Sequence, residues 1–95
     1  EDDELANMLA WVLATSPSAA APEEARTLAE TLVARAPGQL AHQETLAAAL
    51  ARLGNFAEAA RLQAALVERL PASARAAPEE RLGLYRAGKP WLAAP

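Results

Sequence analysis

Residues 24–37 read EARTLAETLVARAP and residues 58–71 read EAARLQAALVERLP. Laid on each other at an offset of 34, they agree at seven of fourteen positions: Glu24/Glu58, Ala25/Ala59, Leu28/Leu62, Leu32/Leu66, Val33/Val67, Arg35/Arg69 and Pro37/Pro71. Ala matches are cheap in this chain, so the Leu, Val, Arg and Pro agreements carry the weight. The segments before them also align, at an offset of 37, through Leu9/Leu46, Ala10/Ala47, Leu13/Leu50 and Ala14/Ala51. Three extra residues in the loop Thr15–Ala21 make up the difference. One helical hairpin is used twice.

Pro and Gly divide the chain into five helical stretches. The first is expected over about Asp3 to Ala14, with Leu5, Met8, Leu9, Val12 and Leu13 at the spacing of one helix face. Thr15-Ser16-Pro17-Ser18 stops it. Pro22-Glu23-Glu24 opens the second, because proline fits the first helical position and carboxylates complement the positive end of the helix dipole. Its core face reads Ala25, Leu28, Ala29, Leu32 and Val33, and Pro37-Gly38 ends it. The third covers about Leu40 to Leu53, with Gly54 set to take a left-handed turn and Asn55 to cap the fourth. Pro71 closes the fourth, and Pro78-Glu79-Glu80 opens a short fifth that Gly88 and Pro90 end. Short connections imply antiparallel neighbours.

Composition agrees. Of 50 apolar residues 27 are Ala and 15 are Leu, both strong helix formers, while Ile is absent and strand-favouring types are scarce. With no cysteine there is neither a disulfide framework nor a thiolate metal site. The net charge of −3 is more than supplied by Glu1, Asp2, Asp3 and Glu4, and the nine cations are scattered, so no basic stripe faces nucleic acid. No apolar run is long enough to span a membrane.

Catalytic candidates are few. His42 lacks metal-binding or triad neighbours in sequence and reads as a solvated helical histidine. Asp2 and Asp3 solvate or cap the first helix, and Ser16, Ser18 and Ser73 lie in turns without a nucleophile or phosphate-loop context. No enzyme activity, metal or cofactor is expected.

A helical hairpin repeated every 34 residues has the period of the tetratricopeptide family. The second repeat's Leu46-Ala47, Leu50, Gly54, Phe56, Ala59 and Pro71 resemble that family's Leu-Gly pair, its Tyr, its turn Gly with a following aromatic, its close-contact Ala and its terminal Pro. The first repeat matches at Leu9-Ala10, Leu13, Ala25 and Pro37. Gln43 and Gln63 depart from it where aromatics are usual, and Leu66 replaces a usual Ala. Leu9-Ala10-Trp11 with Ser16-Pro17, and Leu84 through Pro90, resemble the closing segment of long bacterial members of the family. A chain that opens without Met reads as a piece of such a protein.

The resemblance implies an all-α fold of antiparallel helical hairpins stacked as a short right-handed superhelix with a C-terminal capping helix. Residues 1–88 would form one domain: hairpin 1 at about 3–36, hairpin 2 at about 40–70, and the capping helix at about 78–87. Residues 89–95 would be a loose tail. It also implies a non-catalytic protein-interaction module whose concave face is lined by the first helix of each hairpin. Carried over by register, that face holds Asn7, Met8, Trp11, Glu44, Thr45, Ala48 and Arg52. Trp11 is the most interesting contact candidate, Trp being enriched at hot spots, although packing against a neighbouring hairpin or core is its first reading, and Met8 too reads first as core. Asn7, Trp11 and Glu44 replace the clamp that captures chaperone carboxylate tails, so a partner helix or an apolar peptide suits the groove better. Self-association of a structural end-cap, using Trp91 and Leu92, is the alternative. Cytoplasm and periplasm are both compatible.

Overall fold

The computed structural model describes residues 2–18 and 21–94. Among these residues five α-helices follow one another: α1 (Asp2–Thr15), α2 (Pro22–Arg35), α3 (Leu40–Arg52), α4 (Phe56–Glu68) and α5 (Ala76–Arg86), with a 3-10 turn at Ala72–Ala74 before α5. There is no strand among the described residues. The all-α class stands. Consecutive helices pack on one another and α1 also packs on α3, filling a body of 29 × 26 × 23 Å. Arg35 at the end of α2 pairs with Asp3 at the start of α1 (3.1 Å), as antiparallel neighbours require.

Alanine makes the contacts. Ala10 and Ala14 of α1, Ala25 and Ala29 of α2, Ala47 to Ala49 and Ala51 of α3, and Ala59 of α4 are all buried. With no bulk beyond Cβ, helix backbones approach closely along these faces. Helix α3 is central and feeds two clusters. Ala48 and Ala49 join Ala14 and Ala25 under Trp11 and Leu13, while Ala47, Leu50 and Ala51 join Ala59 and Tyr85.

The glycine stops follow the Schellman pattern, in which a left-handed residue lets two N–H groups satisfy the last helical carbonyls. After α3, Gly54 has φ +88°, and the Gly54 and Asn55 amides donate to Ala51 O (3.0 Å) and Leu50 O (2.8 Å). After α5, Gly88 has φ +74°, with Gly88 and Lys89 donating to Tyr85 O (3.0 Å) and Leu84 O (2.9 Å). Asn55 thus serves α3 through its backbone, and its side chain makes no capping bond to α4.

Four expectations are corrected. Helix α1 buries Ala10, Ala14 and Thr15, leaving Leu5, Met8, Leu9 and Val12 exposed at 66, 59, 54 and 52%. Among the described residues α1 has helix neighbours on one side only, α2 and α3, and the alanines face them. Met8 is therefore surface rather than core. His42 is buried, because α3 is enclosed on several sides, and its Nδ1 has no hydrogen-bond partner. Helix α5 begins at Ala76, two residues before Pro78. The amides of a first helical turn have no intrahelical acceptor, so proline at the third position removes no bond.

The tail, fourth, is not loose. Gly88 turns the chain back so that the segment after α5 lies against α1. Trp91 is half-buried against the α3–α5 cluster, and the Ala93 amide donates to Thr15 O at 2.8 Å. The last α1 carbonyls would otherwise lack partners. The tail is docked.

Candidate functional site

Helices α1, α3 and α5 converge on a groove of about 340 Å³. Asn7, Met8, Trp11 and Val12 enter from α1, Ala41, Glu44 and Thr45 from α3, and Arg81 from α5. Five of the seven residues expected on a concave face therefore share one depression. Ala48 does not reach it: at 2% exposure it belongs to the core under Trp11. Arg52 is also elsewhere. Its Nη1 donates to Ala14 O (3.0 Å) and Ser16 O (2.9 Å), so it caps the C-terminal end of α1. Thr45 lines the groove but is 1% exposed, and its hydroxyl donates to Ala41 O of its own helix (3.1 Å).

The floor is a polar network. Glu44 Oε2 accepts from Arg81 Nε (2.9 Å) and pairs with Arg81 Nη2 (2.7 Å). Gln63 of α4 donates its Nε2 to the same oxygen (3.2 Å) and to Pro78 O (3.0 Å). A glutamine fits there because an amide N–H can be shared between a carboxylate and a helix-start carbonyl, which an aromatic ring cannot do. Beneath, Tyr85 is buried with its hydroxyl unpartnered, and burial pushes its pKa up to about 12. Glu44 adds to that shift and Arg81 opposes it.

The wall is aromatic. The indoles of Trp11 and Trp91 lie 5.4 Å apart between centroids, inclined at 34°. The Arg81 guanidinium carbon sits 5.3 Å from the first ring and 5.0 Å from the second, within cation–π range. With Glu44 neutralising Arg81, the groove offers little net charge. It presents apolar surface plus one amide, Asn7, whose buried Oδ1 has no hydrogen-bond partner.

Sequence reasoning missed Arg81, and it put Trp91 in a loose tail available for self-association rather than beside Trp11 and Arg81. The signal for Arg81 was available: Asn7, Glu44 and Arg81 stand at equal intervals of 37 residues, so extending the register from α1 and α3 into α5 reaches it. Trp91 follows the Gly88–Pro90 stop, where periodicity says nothing.

Other depressions carry less. One, about 1000 Å³ between α2 and the α3–α4 hairpin, has Arg26 on its rim bound to Glu23 (2.8 Å) and Glu30 (3.2 Å). A third, about 590 Å³, brings His42 to the same hollow as Asp3 and Glu4. Asp3 is already paired with Arg35, and no group of three His, Cys, Asp or Glu suited to a metal ion occurs among the described residues. No described helix is long and apolar enough to cross a membrane. No family model matches the chain, and neither does a curated protein or a solved structure.

Proposed function

We propose that this chain is a non-catalytic protein-interaction module of tetratricopeptide type, in which the α1/α3/α5 groove receives a peptide or a partner helix. Within that reading the two hairpins are successive repeats of a right-handed superhelix from a larger bacterial protein, and α5 is the capping helix. The observation that carries it is the convergence of Asn7, Glu44 and Arg81, equally spaced in sequence, on one groove. An apolar lining with a few placed polar groups is the usual make-up of a recognition site.

Panning a random-peptide library on the chain tests the reading. Selected peptides should lose at least tenfold in affinity with Met8→Glu or Ala41→Arg, both exposed groove positions, and keep it with Ala57→Arg at the α2/α3–α4 depression. Sensitivity to Ala57→Arg alone would remove the groove from consideration.

A second reading is favoured by the exposed row Leu5, Met8, Leu9 and Val12. In it the module is the end-cap of a longer superhelix and assembles through α1. Light scattering on an eluting column peak distinguishes the two. A mass near 10.0 kDa at all concentrations favours the groove. A concentration-dependent doubling abolished by Leu9→Glu favours assembly.

A further inference from the structure

The groove has an occupant on one flank already. After the Gly88 turn the chain has no helix or strand, yet Trp91 is half-buried against Trp11 and Arg81, and the Ala93 amide is bound to Thr15 O. Leu92 between them points outward, 44% exposed. Ala93 and Ala94 then border a hollow of about 430 Å³ shared with Trp11, Val12 and Thr15. One indole and one backbone amide thus hold the segment, in the way an extended peptide is held: a side-chain pocket gives selectivity and a main-chain bond gives register.

We infer that the α1–α5 flank of the groove is a binding site for an extended, uncharged peptide segment carrying one indole, and that residues 90–94 occupy it in cis as a displaceable competitor. This rests on the reading of the groove as the recognition face. The chemistry selects the ligand. The Arg81 guanidinium is held by Glu44 and faces both indoles, so it favours an aromatic ring, and with its charge met by Glu44 it leaves no free charge to recruit an ionic ligand. The carbonyl of Thr15, at the negative end of α1, needs an N–H donor from whatever lies there. Because the resident segment is joined to α5 by three residues after Arg86, its effective concentration is high, and a partner must outcompete it.

The probe is a hexapeptide of the chain's own residues 89–94, Lys-Pro-Trp-Leu-Ala-Ala, with fluorescein attached through the Lys amine so that this cation is removed, titrated against the full chain by anisotropy. Trp91→Ala should bind it at least tenfold more tightly than the unaltered chain, and adding Trp11→Ala should abolish that gain. Ala93→Pro, which keeps the indole but deletes the N–H, should give an intermediate gain, and it carries the test if Trp91→Ala loses its helical circular dichroism. Equal binding to the unaltered and opened chains, or binding indifferent to Trp11, overturns the proposal. Library peptides that bind through Met8 and Ala41 but are not displaced by the hexapeptide overturn it too, and leave the groove reading standing.

Discussion

Arg81 reaches Glu44 with two nitrogens, Nε at 2.9 Å and Nη2 at 2.7 Å from the same carboxylate oxygen. The link spans α3 and α5, and the same guanidinium faces both indoles, so one side chain joins the last helix, the central helix and the tail. Side-chain exposures of 14% and 19% place the pair between a solvated ion pair, worth under ~1 kcal/mol, and a buried one, whose breakage costs about 3–5 kcal/mol. Glu44→Gln is expected to cost about 1–2 kcal/mol in urea unfolding by that comparison. Arg81→Ala should cost more, because it also removes the cation from two rings. A double-mutant cycle with coupling below about 0.5 kcal/mol would show that the pair is geometric rather than energetic.

Arg52 caps a helix to which it does not belong. Helix α1 has no basic residue in its last turn, and Arg52 of α3 donates to Ala14 O and Ser16 O instead. Arg52→Ala should therefore destabilise the chain by about 1–2 kcal/mol, the usual range for a lost charged hydrogen bond and helix-end charge. Hydrogen exchange should quicken first in the last turn of α1. Uniform acceleration across all five helices would argue against a local cap.

These two arginines show what is legible in a sequence and what is not. Helix number and order follow from local chemistry: Pro22, Pro37-Gly38, Gly54, Pro71 and Gly88 act within one turn of themselves, and the observed boundaries lie close to them. The buried face of α1 is different. Leu5, Met8, Leu9 and Val12 share a face by periodicity, but burial depends on which sides have neighbours, and α1 has them only where Ala10 and Ala14 lie. His42 goes the other way for the same reason, being on the helix with neighbours on several sides. Asn7, Met8, Trp11, Glu44 and Thr45 reach a common groove because register carries them there. Arg52 fails to join them because its long side chain reaches two carbonyls at the C-terminal end of α1, 36 and 38 residues away in sequence, a contact no local pattern encodes. Trp91 depends likewise on the course of the chain after Gly88.

Two glycines five residues apart should respond oppositely to the same change. Gly88 holds φ +74° with open space around it, so Gly88→Ala meets no clash but must place Cβ in the left-handed region, at a cost of about 1–2 kcal/mol. Gly83 lies inside α5 with nothing within 4 Å of an added Cβ, and Gly83→Ala should stabilise by roughly 0.5–1 kcal/mol through helix propensity. Thermal melts of both variants check the pair. Gly88→Ala should also weaken the tail's hold, read as faster exchange of the Ala93 amide.

Tyr85 sets a limit at alkaline pH. Its pKa is raised from 10.0 to about 12, mainly by burial, with Glu44 raising it further and Arg81 lowering it. A group that holds its proton more tightly when folded contributes stability that is complete below the unfolded pKa near 10 and is lost as pH climbs through about 12. A shift of that size corresponds to about 2–3 kcal/mol. The urea midpoint should therefore fall between pH 10 and 12, in step with the tyrosinate absorbance. Tyr85→Phe removes the ionisable hydroxyl, which has no hydrogen-bond partner, so it should be nearly neutral at pH 7 and flatten the alkaline limb. An equally steep limb in Tyr85→Phe would assign the loss to other groups. A large penalty at pH 7 would mean that the hydroxyl has a partner in solution.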